Sequence, residues 1–274
     1  MSSRRACRRY KPVGPICDAL IRMQDIPHRS VQHRSIRGGA KKAGVRLVVP
    51  DVPHHVTQRG NRRQRVSFED GDYALYRDIL AERCRKSGVA VWAYCLMPNH
   101  VHLIMVPRSS DGLARAIGET HRQYTGFVNA RARWTGHLFQ GRFASVPLDE
   151  EHLIAAARYL ALNPVRAGLV QRALDWAWSS ARAHAAGCDD GLVSVAALRE
   201  RVGNGTDLIG IEPEASATAR LRAAESTGRP LGDERFIAML EQKLARRLRP
   251  QKPRRKPCVD APDEQLAMDI QGNT

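Results

Sequence analysis

One hairpin-like segment, at residues 89–107, constrains the fold more than any other part of the chain. It contains two hydrophobic runs, VAVWAYCLM and HVHLIMVP, that are joined by the short turn PN. Two such runs on either side of a turn predict a pair of antiparallel strands. The second run begins with His100-Val101-His102, so two imidazoles stand in a strand that is otherwise hydrophobic.

The spacing of hydrophobic residues predicts the elements around this hairpin. Strands are expected at VRLVVP (45–50) and HHVTQRG (54–60), and helices at 70–87, 113–131 and 150–163. Asp149 is expected to cap the last of these helices, and Pro164 is expected to end it. This order predicts an α+β fold in which helices pack on one face of an antiparallel sheet, a ferredoxin-like arrangement.

The positive charge is concentrated at the two ends of the chain. The net charge is +16, and most of the excess lies in residues 1–46 and 244–256. Basic flanking segments favour a polyanion such as nucleic acid, because phosphate contacts release counterions. A solvated tail without a specific partner is the alternative.

Composition excludes several other classes. No stretch approaches the roughly 20 consecutive apolar residues of a membrane span, and no apolar signal segment opens the chain. The six cysteines are scattered and form no CxxC pair, which argues against a zinc ribbon. We therefore expect a cytoplasmic protein with no membrane partner.

The histidine pair has a geometry that suits a metal ion. Residues two apart in a strand project from the same face, so His100 and His102 lie side by side and Val101 points the other way. Two imidazoles at this spacing can bind one metal ion. A pair of partly exposed strand histidines with ordinary hydrogen bonds is the alternative.

The predicted helix at 150–163 offers partners for such an ion. Tyr159 and Asn163 are four residues apart and share one helical face. An amide oxygen beside two imidazoles suits Mg²⁺ or Mn²⁺ and leaves coordination positions for phosphate, and a nearby tyrosine can act as a nucleophile. Alternatively, Tyr159 closes the core with its hydroxyl in water, and Asn163 is an ordinary stop signal before proline.

Four motifs carry a resemblance to a known family. HHVTQRGNRR, YCLMPNHVHLIMVP, GHLFQGRF and ARYLALNPVRAGLV, in this order, resemble single-tyrosine HUH transposases, the IS200-like transposase domains. HUH denotes His–hydrophobic–His, and the REP-associated tyrosine transposases are the most similar branch. The resemblance covers about residues 44–186 and implies an antiparallel sheet with helices on one face.

The resemblance also implies roles for particular residues. Tyr159 corresponds to the catalytic nucleophile, and His100, His102 and Asn163 correspond to the ligands of Mg²⁺ or Mn²⁺. The implied substrate is single-stranded or hairpin DNA, cleaved through a 5′-phosphotyrosine intermediate, by a protein acting as a monomer or a homodimer. Tyr124 lacks an amide four residues later, which favours Tyr159.

Other residues are candidates for DNA contact or for support of the site. A cluster of arginines follows the first strand, and one more lies in GHLFQGRF: Arg59, Arg62, Arg63, Arg65 and Arg142. A solvated turn explains the cluster nearly as well, and core packing explains GHLFQGRF. His54 and His55 could support the metal ligands, although strand packing explains them equally.

The sequence thus predicts four parts. These are a basic, disordered extension (1–43), a transposase catalytic domain (44–186), a helical C-terminal extension (187–249) and a disordered tail (250–274). Two other functions remain open, namely a non-catalytic or domesticated DNA-binding protein and an HxH metal-dependent phosphoesterase.

Overall fold

Residues 46–249 are described by the structure, which is a computed structural model. The extension expected at 1–43 and the tail expected at 250–274 lie outside this range. Within residues 46–249, no helix has the length and apolar character needed to cross a membrane.

A four-stranded antiparallel sheet forms the centre of the fold. Its strands are β1 (His54–Arg59), β2 (Val89–Met97), β3 (His100–Pro107) and β4 (Ala144–Pro147), in the spatial order β2-β3-β1-β4. β2 and β3 form the expected hairpin, and β3 also pairs with β1, where Thr57 lies opposite His102. The α+β class with an antiparallel sheet is confirmed.

Eight α-helices lie within the described range. They are α1 (Asp70–Ser87), α2 (Gly112–Ala132), α3 (Glu150–Arg166), α4 (Ala181–Ala186), α5 (Ala196–Val202), α6 (Asp207–Gly210), α7 (Ala215–Thr227) and α8 (Glu234–Leu244). Gly88 ends α1 in the left-handed region at φ 63°, which favours glycine. Asp149 caps α3 as predicted, since its carboxylate accepts from the His152 backbone N–H.

The helices cover both faces of the sheet, which corrects the expectation of one face. On one face, Leu103 and the other β3 side chains that project from the same face pack against α1 and α2. On the other face, Ile104 packs with Leu153 and Leu160 of α3. Leu103 and Ile104 are both fully buried, and a strand buried on both sides needs cover on both sides. α3 therefore lies over the face that carries His100 and His102.

The strand expected at 45–50 is wrong, since residues 46–49 have no regular structure. Leu47 and Val49 are instead buried against Leu240 of α8. The hydrophobic character of this run serves packing against a distant helix, and period-two patterns alone do not distinguish such a loop from a strand.

Pro164 does not end α3, which continues to Arg166. A proline lacks the backbone N–H that would donate a hydrogen bond within the helix. Because Pro164 stands close to the end of α3, the missing donor affects only the last turn. The Ala167 N–H still donates to the Asn163 carbonyl at 3.0 Å. Asn163 therefore lies inside the last turn of α3 rather than at the end of the helix, where it was expected.

Candidate active site

Three histidines meet on the sheet face beneath α3. His102 is buried, and its ring is nearly parallel to that of His55, with centroids 5.3 Å apart and planes 7° apart. His55 Nε2 and His102 Nδ1 are 3.1 Å apart, a hydrogen-bond distance. The half-buried His100 lies beside His102, with centroids 4.8 Å apart, and its Nδ1 is 2.6 Å from Asn99 Oδ1.

Burial keeps these imidazoles neutral. It lowers the pKa of His55 to about 3 and, with the nearby Arg59 charge, that of His100 to about 4. The pKa of His102 lies well below its ordinary value because of burial and the adjacent His55 and His100 rings. A neutral imidazole has a nitrogen lone pair for a metal ion, so the histidines are suited to ligation at neutral pH.

Tyr159 of α3 lies against the same cluster. Its ring is edge-on to that of His102 at a centroid distance of 5.5 Å. The guanidinium carbons of Arg166 and Arg222 lie 4.4 and 5.7 Å from the centre of the phenol ring. Arg222 Nε also donates to the hydroxyl at 3.4 Å. The phenol thus stands among cationic groups with its ring beside a histidine, an environment that suits a nucleophile toward phosphate.

Asn163 lies one turn further along α3. Its side chain is buried, and its Nδ2 has no hydrogen-bond partner among the described residues. A buried amide without partners is expensive unless something else binds it. The structure thus brings Tyr159, His100 and His102 together and leaves Asn163 nearby on the same helix with unused hydrogen-bonding capacity.

A cavity of about 290 Å³ opens beside the histidine pair. Three arginines and one carboxylate give its wall a net positive charge. The charged and ligating residues in its lining are Arg59, His100, His102, Arg142, Arg222 and Glu225. Neither Tyr159 nor Asn163 lines this cavity. Two of the predicted arginines, Arg59 and Arg142, thus lie beside the predicted histidines.

Glu225 of α7 is a member of the site that sequence reasoning missed. Ligand atoms of His55, His102 and Glu225 lie within 4.8 Å of one another, so this group could hold a metal ion. Glu225 Oε1 is 3.8 Å from His55 Nδ1, and neither atom has a hydrogen-bond partner in the described chain. Burial raises the pKa of Glu225 to about 7, although Arg59 and Arg222 oppose the shift. Imidazole and oxygen donors that are buried and unpartnered fit a divalent cation.

His54 has a different role from its neighbour. It points to the opposite face of β1, where its Nδ1 donates to the Val52 carbonyl at 2.7 Å and its Nε2 accepts from the Val49 N–H at 3.1 Å. Both nitrogens are therefore used by the backbone. His54 is thus explained by packing within the strand, whereas His55 lies beside the predicted metal ligand His102.

The remaining arginines lie around a second cavity. Arg62 and Arg65 line a space of about 610 Å³ together with Phe68 and Trp134. The two aromatic residues are 39% and 51% exposed, and their rings meet edge to face at 5.8 Å. Arg63 is exposed in the short 3₁₀ turn at 61–63. Exposed aromatic faces beside guanidinium groups are typical of sites that stack nucleobases.

The segment GHLFQGRF connects the two cavities to the core. Leu138, Phe139 and Phe143 are buried, as the packing interpretation expected. The Gln140 backbone N–H donates to the Arg59 carbonyl at 2.8 Å, so the segment also fixes the end of β1. The segment therefore both fills the core and positions an arginine of the cavity.

Comparison with known proteins supports the resemblance found in the motifs. Residues 48–163 match the family model described as "Transposase IS200 like". A protein of Haemophilus influenzae named as a REP-associated tyrosine transposase is 27% identical over 116 residues, which cover 38% of this chain and 66% of the relative. The match thus spans slightly less than two thirds of that relative.

Two solved structures are similar to this chain at low identity. One is a REP-associated tyrosine transposase bound to a REP hairpin, with 21% identity, a TM-score of 0.45 and coverage of 55% of this chain and 89% of the other. The second is a protein named as a transposase from Deinococcus radiodurans, with 19% identity, a TM-score of 0.31 and coverage of 45% and 95%.

Proposed function

We propose that this protein is a single-tyrosine transposase of the REP-associated branch, a proposal supported by the match of residues 48–163 to the family model described as "Transposase IS200 like". It cleaves and rejoins single-stranded DNA, including DNA folded into hairpins. The observation that carries this proposal is the edge-on contact of Tyr159 with His102 of the HxH pair, beside the guanidinium groups of Arg166 and Arg222. A nucleophile, a metal-binding pair and cationic groups are the parts that phosphoryl transfer requires.

His100, His102 and Asn163 would hold the metal, Mg²⁺ or Mn²⁺. The neutral state of the two imidazoles supports their part in this assignment, and Asn163 would contribute its amide oxygen, as the family resemblance implies. When bound, the ion would polarise the scissile phosphate and neutralise the charge that develops on it.

The reaction of the chain's own groups is a transesterification. The Tyr159 Oη attacks the phosphorus, a P–O bond forms to the tyrosine, and the bond from phosphorus to the 3′ oxygen breaks. The phenol proton is lost to solvent, and the leaving 3′ oxygen takes up a proton to become a 3′-OH. The reverse attack by a 3′-OH on the phosphotyrosine rejoins DNA without an external energy source. Arg166 and Arg222 would stabilise the negative charge on the phenolic oxygen.

The DNA would enter along the two cavities. Arg59 and Arg142 would contact the phosphate near the histidines, and Arg62, Arg63 and Arg65 would contact the backbone further along. Replacing any one of these arginines should therefore weaken binding by a similar factor for all DNA sequences. It should also make DNA binding less dependent on salt concentration.

The test is the formation of a covalent protein–DNA species. Labelled single-stranded hairpin DNA is incubated with the purified protein and Mn²⁺, and the products are separated on a denaturing gel. We expect a protein–DNA band that requires metal and disappears in Tyr159→Phe. Tyr124→Phe is the matched control, because Tyr124 is also a helical tyrosine but lies on the opposite side of the sheet. A band that persists in Tyr159→Phe would refute the assignment of the nucleophile.

One observation favours a second candidate, a metal-dependent phosphoesterase that would bind its ion through His102 of the HxH pair and two further residues. The group of His55, His102 and Glu225 resembles the mixed imidazole and carboxylate donors of hydrolytic metal sites. Such an enzyme would use water as the nucleophile and form no bond to DNA. Metal-dependent cleavage without a covalent band, unchanged in Tyr159→Phe, would establish this alternative, and binding without any cleavage would indicate a non-catalytic DNA-binding protein.

A further inference from the structure

We infer that His55 and Glu225 form a supporting chain behind His102, in which Glu225 of the C-terminal extension fixes His55 and His55 fixes the tautomer of His102. Both are positioning residues, and the inference rests on the proposed role of His102 as a metal ligand. Glu225 lies outside the residues that match the family model, 48–163. The family resemblance therefore gives it no role.

One of the two ring nitrogens of His102 is already engaged by a neighbour. Its Nδ1 lies 3.1 Å from His55 Nε2, so this nitrogen is engaged by the neighbouring ring. Only Nε2 is then left for a metal ion. A neutral imidazole that gives the lone pair of Nε2 to a metal carries its proton on Nδ1. His102 therefore donates, and His55 Nε2 accepts.

The same reasoning fixes His55. If Nε2 of its neutral ring accepts, its proton is on Nδ1. This atom is buried and has no hydrogen-bond partner in the described chain, and it lies 3.8 Å from Glu225 Oε1, which is likewise buried and unpartnered. A shift of about 1 Å would bring the two atoms to hydrogen-bond distance. A carboxyl oxygen can accept this proton, so the direction of donation runs from His102 through His55 to Glu225.

The backbone holds the members of this chain in register. His55 is on β1 and His102 on the paired strand β3, and their rings are parallel to within 7°. On α7, Leu221 and Ala224 are buried in the same core as α3, which holds Glu225 toward the sheet. A metal-binding histidine usually donates its second N–H to a carboxylate or carbonyl, and that partner raises its basicity and fixes its orientation. Here a second histidine transmits the effect.

The first experiment measures metal binding without DNA. The full-length apo protein is titrated with Mn²⁺ alone by calorimetry, and free Mn²⁺ is followed by its electron paramagnetic resonance signal. We expect Glu225→Ala to weaken binding about 10–100-fold, the usual effect of losing such a supporting group. Glu225→Gln keeps an acceptor oxygen and should retain more affinity. Glu214→Ala, which removes an exposed carboxylate near the start of α7, should bind like wild type.

A second measurement separates positioning from direct ligation. His100→Ala should abolish tight Mn²⁺ binding, because His100 is a metal ligand in the proposed function. The variant discriminates between the two sites, because the group of His55, His102 and Glu225 does not include His100. Wild-type affinity in His100→Ala, combined with loss in Glu225→Ala, would show that Glu225 binds the metal itself and would overturn the inference. Equal affinity of Glu225→Ala and wild type would also overturn it.

Nitrogen-15 NMR of labelled histidines gives a readout that a purely structural role would not change. We expect His55 and His102 to carry their protons on Nδ1, and we expect the His55 tautomer to change in Glu225→Ala while the melting temperature of the apo protein stays close to that of wild type. An Nε2 proton on His102 would refute the chain. If Glu225→Ala fails only in metal affinity while wild type forms the covalent DNA band, the inference and the proposed function both stand. If wild type binds no Mn²⁺ and forms no band, both are lost.

Discussion

Two tyrosines on helices, Tyr124 and Tyr159, should respond in opposite ways to removal of the hydroxyl group. Tyr124 is fully buried, and its hydroxyl donates to the Val66 carbonyl at 2.7 Å. Tyr159 is nearly buried as well, but the hydrogen bond its hydroxyl makes with the exposed Arg222 is 3.4 Å long. The Phe substitution therefore tests structure at one site and chemistry at the other.

The expected costs follow from these contacts. Tyr124→Phe leaves a buried carbonyl without its donor, which costs about 1–3 kcal/mol in unfolding free energy. For a folded unit of about 200 residues this lowers the melting temperature by about 2–10 °C. Tyr159→Phe removes a long bond to a solvent-exposed group, so its cost should stay below about 1 kcal/mol.

The assay combines thermal or urea unfolding of both variants with the covalent DNA band. Tyr124→Phe should be less stable than wild type and should still form the band at a temperature where it is folded. Tyr159→Phe should be as stable as wild type and form none. The reasoning is refuted if Tyr159→Phe loses several kcal/mol of stability, because its inactivity would then reflect misfolding. It is equally refuted if a folded Tyr124→Phe forms no band.

Three further predictions concern the turn, the buried histidine and the second cavity. Gly60→Ala should destabilise the protein by more than about 1 kcal/mol in urea unfolding, because the added Cβ would lie 2.2 Å from the Gln64 carbonyl oxygen. Gly118→Ala adds a Cβ with nothing within 4 Å, so it should stabilise α2 by about 0.5–1 kcal/mol in the same assay. Burial lowers the pKa of His54 to about 4, so the unfolded chain binds its proton first as pH falls. Stability should therefore drop by about 2 kcal/mol from this group between pH 7 and pH 5, and a smaller drop is expected in His54→Gln. Trp134→Ala should weaken single-stranded DNA binding about 5–100-fold in fluorescence anisotropy if bases stack there, and unchanged affinity would exclude such stacking.

Local patterns predicted the parts of the site that are close in sequence. The alternation of β3 placed His100 and His102 on one face, and the four-residue spacing placed Tyr159 and Asn163 along one helix. These features depend on backbone periodicity, which any strand or helix of this composition shares. The cap at Asp149 depends instead on a hydrogen bond from a backbone N–H three residues later, which is equally local.

Features that depend on tertiary packing could not be predicted in this way. The run at 45–50 has strand character, but a helix almost 200 residues later buries it as a loop. Both faces of β3 are buried, so each face needs a covering helix. The pattern of β3 alone does not show which helix covers which face, and so it does not predict the side on which α3 lies. The local rule predicts a stop at Pro164 because it ignores how little helix follows the proline.

Glu225 illustrates why the C-terminal extension must be counted as part of the site. Residues 221 and 224 are three apart and face the same core as α3, while Arg222 and Glu225 are likewise three apart and line the cavity. Burial of the first pair therefore dictates the position of the second. Because β1 brings His55 to this face and α7 brings Glu225 to His55, the surroundings of His102 are fixed by two segments, of which only β1 lies within the family match at 48–163. The family motif thus predicts which groups react, whereas the packing of α7 shapes the charge and hydrogen bonding around them.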